Sequence, residues 1–311
     1  MTTQARTRRT SNSTAAHADT PKRDPYQVVT DAIIAAIEAG TKPWEKSWEA
    51  GNTSNFPLRF NGERYRGINV LLLWAKQMEA GFISPYWMTF NQALELGGQV
   101  RKGSKGTMVV YYGTGKKDDE QKPDEGPNVY RFLKTFTVFN TDQIDNLPEK
   151  YRVQAPQVIA ASERIEEIDA IIAKTGANIT WGGNRACFIP SLDRIQMPEF
   201  TAFKTAELCY ATLFHELTHW TKVKDRLDRD FNSTGFGSEG YAKEELVAEL
   251  GAAFIGSELG FAPSHIEDHA SYIASWLKAL KDDKRLIFQA AAKAQAAADY
   301  ILGRGAQKEG E

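Results

Sequence analysis

The chain has 311 residues, of which 42% are hydrophobic and 25% are charged, and its net charge is −2. This composition is typical of a globular protein, and the length suits two domains. No apolar run approaches the roughly 20 residues that a membrane-spanning helix requires, so we expect no membrane partner. Residues 1–24 are polar and basic and lack an apolar segment, which predicts a disordered basic tail and no secretory signal. Cys187 and Cys209 lack CxxC spacing, which favours unpaired thiols and a cytoplasmic location.

Helical and extended patterns alternate in the first half of the chain. Apolar residues at helical spacing, with glycine or capping residues at the ends, predict helices over residues 25–39, 69–79 and 91–96. Two segments rich in β-branched and aromatic residues, 107–112 and 130–140, predict a pair of strands. Glycine, proline and charged residues fill positions 113–127 between them, and we expect a mobile surface loop there.

Prolines and charges interrupt the periodicity near residue 150 and predict a linker over 148–156. The sequence therefore predicts an α+β protein with two domains, 25–147 and 157–305. In the second domain, the same patterns predict a helix over 161–174, strands over 186–189 and 194–197, a helix from Thr201 to about Val223, a helix over 241–259, and further helices towards the C-terminus.

The segment His215-Glu216-Leu217-Thr218-His219 has the residue types and the spacing of half a zinc site. Two histidines four residues apart lie on one face of a helix and can reach one metal ion. Glu216 lies beside that ion and is suited to act as a general base. The alternative is a solvated amphipathic helix that happens to contain this pattern. The motif favours the metal site, with Glu216 as the catalytic residue.

A catalytic zinc ion needs a third protein ligand and one open position. Three glutamates follow 25 to 30 residues after His219, and Glu245 and Glu249 share one helix face, whereas Glu244 points elsewhere. We expect Glu245 to be the ligand and Glu249 to orient a ligand histidine, although the reverse assignment and a surface role for both stay open. The predicted cofactor is one zinc ion, with another divalent transition metal as the alternative.

Two further features near this motif have two interpretations each. His265 and His269 also lie four residues apart, but they follow Pro263, and a solvated helix start is favoured over a ligand or transition-state role. Tyr241 lies one turn before Glu245 and could donate to a developing oxyanion, although a core or capping tyrosine is the commoner case.

Aromatic and basic residues are interleaved in the N-terminal domain. Residues 40–117 hold 11 basic and 5 acidic residues, a local charge of +6, and four of the seven tryptophans lie between positions 44 and 87. Single-stranded nucleic acid binds to such surfaces through base stacking and phosphate pairing. The alternative is that these aromatic residues belong to the core. The candidate DNA-binding residues are Arg64, Tyr65, Arg66, Tyr86, Trp87, Arg101, Lys102 and Lys105.

Several stretches together resemble the ArdC-type antirestriction proteins of mobile elements, whose N-terminal region is similar to that of certain plasmid primases. They begin at Tyr65, Ser84, Arg101, Thr137, His215 and Tyr241, and read YRGIN, SPYWMT, RKGSKG, TVFN, HELTHW and YAKEEL. The resemblance covers about residues 24–303. It implies an N-terminal single-stranded DNA binding domain, a zincin-like metallopeptidase domain, metal ligation by His215 and His219, and catalysis by Glu216.

The resemblance also implies protection of incoming DNA from host restriction. We therefore expect an antirestriction protein of a mobile element that binds single-stranded DNA and carries a zinc-dependent peptidase. Its protein substrate would be DNA-bound or a component of the host restriction system. The alternative is a non-enzymatic DNA-binding protein that blocks restriction sterically and uses its metal as a structural element.

Overall fold

The structure, a computed structural model, describes residues 24–40, 42, 44, 56–117, 128–151, 161–231, 238–260 and 270–304. Within these ranges the fold is α+β, as predicted from the sequence. The first half contains α1 (Pro25–Glu38), β1 (Leu58–Arg59), α2 (Ile68–Ala80), β2 (Tyr86–Thr89), α3 (Phe90–Glu95), β3 (Gln99–Val100), β4 (Thr107–Lys117), β5 (Asn128–Asn140) and β6 (Ile144–Asp145). The second half contains α4 (Ala161–Thr175), β7 (Asn178–Trp181), β8 (Cys187–Ile189), β9 (Arg194–Met197), α5 (Ala206–Trp220), α6 (Glu239–Leu259), α7 (Ala270–Asp282) and α8 (Leu286–Ile301).

Some predicted features fall outside these ranges. Residues 1–23 of the predicted basic tail, residues 152–156 of the predicted linker, and the His265 and His269 pair are not among the described residues. The first part of the predicted linker packs on the N-terminal half. Tyr151 is buried there, and its hydroxyl donates a hydrogen bond of 2.7 Å to the carbonyl of Phe60.

Local signals account for the helix ends. The Thr89 hydroxyl accepts a hydrogen bond from the Gln92 amide, and the Gln92 side chain accepts one from the Thr89 amide, which forms a capping box for α3. The helices α2 and α6 end at Gly81 and Gly260, both with positive φ. Glycine adopts this conformation without the Cβ clash that other residues experience.

The strands form two larger sheets and one short pair. The N-terminal sheet has the order β1-β2-β5-β4, in which β1 and β2 are parallel and the other neighbours are antiparallel. The C-terminal sheet has the order β7-β9-β8, with β7 parallel and β8 antiparallel to β9. The strands β3 and β6 pair with each other. The sequence did not predict β1, β2, β3, β6 and β7, because strands of two to four residues are too short to show alternation.

The strand β4 is longer than the sequence predicts. Its described part extends through Gly113 to Lys117 and pairs with β5 along its whole length, so the prediction of a loop from residue 113 is wrong for this part. The physical reason is that Gly113 and Gly115 leave space for two rings of β5. A Cβ atom on Gly113 would overlap the Phe132 ring, and one on Gly115 would overlap the Tyr130 ring.

The two halves share one hydrophobic core. Trp44 packs edge-on against Trp276 at a centroid distance of 6.1 Å, and Phe56 lies 6.5 Å from Phe254. The hydroxyl of Thr30 in α1 donates a hydrogen bond to the carbonyl of Lys284, just before α8. Buried apolar residues form one continuous cluster from α1 to α8. The C-terminal helices therefore stabilise the N-terminal half, and the reverse also holds.

Both cysteines are unpaired, as predicted: Cys187 is half-buried and Cys209 is buried. Burial raises the pKa of the Cys209 thiol to about 12. Among the helices within the described ranges, none combines the length and the apolar character that crossing a membrane requires.

Candidate metal centre

The helix α5 presents both histidines of the motif on one buried face. The Thr205 hydroxyl caps its first turn, so α5 begins at Ala206 and not at the predicted Thr201, because the residues before it form a separate 3-10 turn. The four-residue step between His215 and His219 brings their ring centroids to 4.8 Å. Both side chains are buried within the described structure.

The helix α6 lies close against α5 because a glycine faces the motif. A Cβ atom on Gly251 would lie 2.6 Å from Oγ1 and 2.8 Å from Cγ2 of Thr218. Any larger residue at position 251 would therefore separate the two helices. The Thr218 hydroxyl is held in place because it donates to the carbonyl of Phe214 at 2.8 Å. The absence of a side chain at Gly251 thus sets the distance between the two helices.

Two histidines and one glutamate converge between these helices. The Nε2 atoms of His215 and His219 lie 3.1 Å apart. The Glu245 carboxylate faces both rings, with Oε2 at 3.5 Å from His215 Nε2 and Oε1 at 3.4 Å from His219 Nε2. One ligand atom from each residue lies within 4.8 Å of the others.

This donor set fits a single divalent metal ion. Bonds of about 2.0 to 2.2 Å at tetrahedral angles put neighbouring ligand atoms about 3.3 to 3.5 Å apart. The two Nε2 atoms lie 3.1 Å apart, and each lies 3.4 to 3.5 Å from a different oxygen of Glu245. Two imidazoles with a carboxylate suit zinc and several other divalent transition metals. Three protein ligands would leave a position for water or substrate, which is the pattern of a catalytic site.

A further carboxylate supports each histidine from behind. Glu249 Oε1 lies 3.4 Å from His215 Nδ1, and Glu244 Oε1 lies 3.2 Å from His219 Nδ1. The prediction that Glu244 points away from the site is wrong. Adjacent helix positions differ by about 100° in direction, but α6 lies so close to α5 that both faces reach the motif. The contact with Glu244 fixes the orientation of the His219 ring.

Arg229 holds Glu244 in place through two hydrogen bonds. Its Nε donates to Oε2 at 2.9 Å and its Nη2 donates to Oε1 at 2.8 Å. The same guanidinium donates to the carbonyl of Thr218 at 2.7 Å and to the hydroxyl of Thr221 at 3.0 Å. Arg229 thus links the end of α5 to α6. The sequence contains no local signal for this residue, because it lies in an irregular segment ten positions after His219.

The buried charges shift the pKa values of these groups. Burial raises the pKa of Glu244, but hydrogen bonds from Arg229 and His219 outweigh it and lower that pKa to about 2. Burial likewise opposes ionisation of Glu245, yet the two histidines hold its pKa far below the ordinary value. Burial lowers the pKa of His215, and the carboxylates of Glu245 and Glu249 more than reverse this. The carboxylates and the imidazoles of this cluster therefore stabilise one another's charged forms.

Glu216 lies beside this cluster and contacts the C-terminal sheet. Its Oε2 accepts a hydrogen bond of 2.8 Å from the backbone amide of Phe188 in β8. β8 is an edge strand of its sheet. This bond fixes the direction of the carboxylate. Tyr241, the other candidate on α6, is half-buried in the first turn, where its amide donates to the capping Ser238.

Three aromatic candidates for DNA binding differ in their exposure. Trp87 is fully buried and packs edge-on against Phe82. Tyr65 is 7% exposed, and burial raises its pKa to about 12. Tyr86 is half-buried and packs edge-on against Tyr151. Trp87 and Tyr65 have no free face for a nucleic acid base, so the core interpretation applies to both of them.

Three of the basic candidates are engaged in ion pairs. Arg64 pairs with Glu258 of α6 at 2.9 Å, and Arg66 pairs with Asp299 of α8. These bonds connect the two halves of the chain. Arg101 pairs with Asp145 at 3.1 Å. Lys102 and Lys105 are exposed, and neither forms an ion pair with another described residue. They are the candidates that stay available for phosphate.

Two family models match the chain. The model described as the N-terminal domain of the antirestriction factor ArdC matches residues 23–139, and a zincin-like metallopeptidase model matches residues 166–293. The chain is also 41% identical over 285 residues to the uncharacterized protein y4eC of Sinorhizobium fredii (strain NBRC 101917 / NGR234), with 89% of this chain and 91% of that protein covered.

Other similarities are to a plasmid protein and to a primase. The metal-free crystal structure of the antirestriction protein ArdC from plasmid R388 is 49% identical, with a TM-score of 0.77 over 89% of this chain and 96% of that one. Its Mn(II)-bound structure is 48% identical, with a TM-score of 0.74 over 90% and 97%. The DNA primase TraC of Escherichia coli is 41% identical over 91% of this chain, which spans only 20% of that primase.

Proposed function

The chain belongs to the ArdC-type family of antirestriction proteins, and on this premise we propose that it binds single-stranded DNA and hydrolyses peptide bonds at a zinc site. The observation that carries the peptidase proposal is the convergence of His215, His219 and Glu245, with Glu216 beside them. The zincin-like family model and the Mn(II)-bound relative both support this assignment.

In this proposal each residue has one task. His215 and His219 bind the metal through Nε2, and Glu245 binds it through its carboxylate. A divalent ion held there would supply Lewis-acid polarisation of the scissile carbonyl and would lower the pKa of water at the open position. Glu216 would act as the general base that accepts a proton from the attacking water and then as the general acid that donates it to the leaving amine. Glu249 and Glu244 accept from the Nδ1 atoms of the histidines and hold the rings in orientation.

The test uses the 311-residue chain and two substitutions of Glu216. Glu216→Gln keeps an oxygen that can accept from the Phe188 amide, and Glu216→Ala removes it. Cleavage of an unfolded protein substrate is measured with zinc or manganese, with and without a single-stranded oligonucleotide. Loss of the general base is expected to slow cleavage about 10²- to 10⁴-fold in both variants. Bound metal, measured by mass spectrometry, should be unchanged, and equal cleavage by wild type and Glu216→Gln would contradict the proposal.

A steric mode of action is the second candidate, with the metal in a structural role. The burial of the whole cluster favours it, because Glu216, His219 and Glu245 are each at most 8% exposed. In this mode Glu216 has no task in protection. If Glu216→Gln protects DNA from a restriction enzyme as well as wild type does, protection is steric. If protection is lost while metal and DNA binding persist, proteolysis is required.

DNA binding would give the peptidase its targets. A protein anchored on single-stranded DNA meets other proteins on the same strand at a raised local concentration. The protein substrate is therefore proposed to be DNA-bound or a component of the host restriction system. The shared core of the two halves keeps the metal centre at a constant distance from the DNA-binding surface. The proposed binding of DNA and the two unpaired thiols both support a cytoplasmic location.

A further inference from the structure

Four aromatic side chains form a continuous exposed row on β4 and β5, which we term the aromatic ribbon. Tyr111 is 38% exposed, Tyr130 51% and Phe136 47%, and Phe132 is half-buried between them. Tyr111 lies 6.4 Å from both Phe132 and Phe136, and Tyr130 lies 6.1 Å from Phe132, measured between ring centroids. The row therefore consists of Tyr130, Phe132, Tyr111 and Phe136 in contact order.

Strand register puts all four rings on one face. Tyr111 pairs with Lys134, Gly113 with Phe132, and Gly115 with Tyr130. Alternate residues of a strand share a face, so Tyr130, Phe132, Lys134 and Phe136 of β5 point to one side of the sheet. Tyr111 lies opposite Lys134 and therefore points to the same side. The glycines opposite Phe132 and Tyr130 allow each ring to lie across the neighbouring strand. Side chains at these two positions would push the rings away from the sheet.

The opposite face of the same strands is anchored. Tyr112 packs on Tyr26 of α1 and Phe288 of α8 at 6.5 and 6.3 Å. Leu133, which pairs with Tyr112, packs against the main core. Tyr112 is still 36% exposed, so this face is packed only in part, through Tyr112 and Leu133. Contiguous exposed apolar surface on a protein often marks a binding site, and this row is a candidate for one.

The charge beside the aromatic ribbon suits a phosphate backbone. The amino group of Lys134 lies 5.0 Å from the Phe132 ring centroid, and Lys134 forms no ion pair with another described residue. Among the described side chains on this face of β4 and β5, Lys134 is basic and none is acidic, whereas Arg131 lies on the other face. Lys102 and Lys105, both exposed, lie in the loop that leads into β4. Residues 118–127, which join the strands, contain five acids and one lysine, so the proposed affinity depends mainly on the rings.

We propose that the aromatic ribbon is the surface on which unpaired bases of single-stranded DNA stack. The inference rests on the proposed DNA-binding function and gives it a location. Rings exposed on one side of a sheet bind bases without sequence preference, because every base has an aromatic face. Lys134, Lys102 and Lys105 contact phosphates along the same strand. Trp87 and Tyr65, which are buried, have no part in this surface.

The experiment measures binding of a fluorescein-labelled oligothymidylate to the full chain by anisotropy. Tyr130→Ala and Phe136→Ala remove rings from two ends of the aromatic ribbon, and each is expected to weaken binding about 5- to 150-fold. Tyr130→Phe keeps the ring and should bind as wild type does. Trp181→Ala removes an aromatic side chain of 41% exposure from β7, outside the aromatic ribbon, and should leave affinity unchanged. Circular dichroism verifies that the variants fold.

Two other readouts sharpen the outcome. Photo-crosslinking with a 5-iododeoxyuridine oligonucleotide should modify Tyr130 or Phe136, as mapped by mass spectrometry. An unlabelled duplex should compete weakly, because its bases are already stacked.

If wild type does not bind the oligonucleotide, the proposed DNA-binding function itself fails. If wild type binds and the alanine variants bind equally well, only the location is overturned. The location is also overturned if the variants change sedimentation but not affinity, which would indicate a contact between copies of the chain.

Discussion

Replacement of Gly251 by alanine tests whether close contact between α5 and α6 sets the spacing of the metal ligands. The new Cβ would lie 2.6 and 2.8 Å from two Thr218 atoms, where ordinary contact begins at 3.4 Å. The helices must therefore separate by roughly 0.6 to 0.8 Å, the shortfall in those two distances. Overpacking of this kind costs about 1 to 3 kcal/mol, and the better helix propensity of alanine offsets up to about 1 kcal/mol. We expect metal-free protein to lose about 1 kcal/mol and metal affinity to fall about tenfold or more.

Urea unfolding of metal-free protein and competition with a chromophoric chelator measure the two effects separately. The matched control adds Thr218→Ala to Gly251→Ala. It removes Oγ1 and Cγ2 and leaves only the Thr218 Cβ, at 3.3 Å from the new methyl group. Metal affinity should recover in this double variant, although the bond from Thr218 to the Phe214 carbonyl is lost. Unchanged affinity in Gly251→Ala, or no recovery in the double variant, would refute the idea that this contact sets the ligand spacing.

Three other predictions concern single groups. Glu245→Gln should abolish tight metal binding and Glu249→Gln should weaken it about 10- to 100-fold, as measured by chelator competition; the opposite order would exchange their roles. Arg229→Met leaves the Glu244 carboxylate buried without its main partner and should destabilise the protein by about 3 to 5 kcal/mol in urea unfolding. Adding Glu244→Gln should recover part of this loss, and an unchanged stability in Arg229→Met would contradict the role of Arg229 in holding Glu244. The pKa of Tyr65 is about 10 in the unfolded chain and about 12 in the folded protein, so between pH 10 and 12 wild type should lose about 3 kcal/mol more folding stability than Tyr65→Phe. Urea unfolding measured over this pH range checks it, and parallel losses in the two proteins would show that the Tyr65 hydroxyl is not buried.

Local spacing accounts for what could be predicted around the metal centre. His215 and His219 share a face because four residues make about one helical turn, and this holds in any helix. The same rule brings Glu245 and Glu249 to one side of α6, where both contact His215. The capping box at Thr89 and the glycine after α2 also depend on neighbours in the chain. Such features follow from residues that are close together in the chain.

Long-range contacts decided the rest. The predicted β4 ended too early because the sequence does not show that Gly113 lies opposite the Phe132 ring. The sequence equally could not show that Arg64 and Arg66, which look like phosphate ligands, pair with acids more than 190 positions away. A side chain's charge or aromaticity states what it can bind. Its burial and its partners determine whether it is available.

The sequence by itself determined the α+β content, the family, and the turn of helix that brings two histidines together. Only the tertiary structure decided that Glu244 and Arg229 support His219, that Trp87 belongs to the core, and that exposed rings lie on β4 and β5 instead. The physical reason is the distance along the sequence between the residues in contact. Helical spacing is set by hydrogen bonds four residues apart, whereas these contacts form only when distant segments pack around a common core.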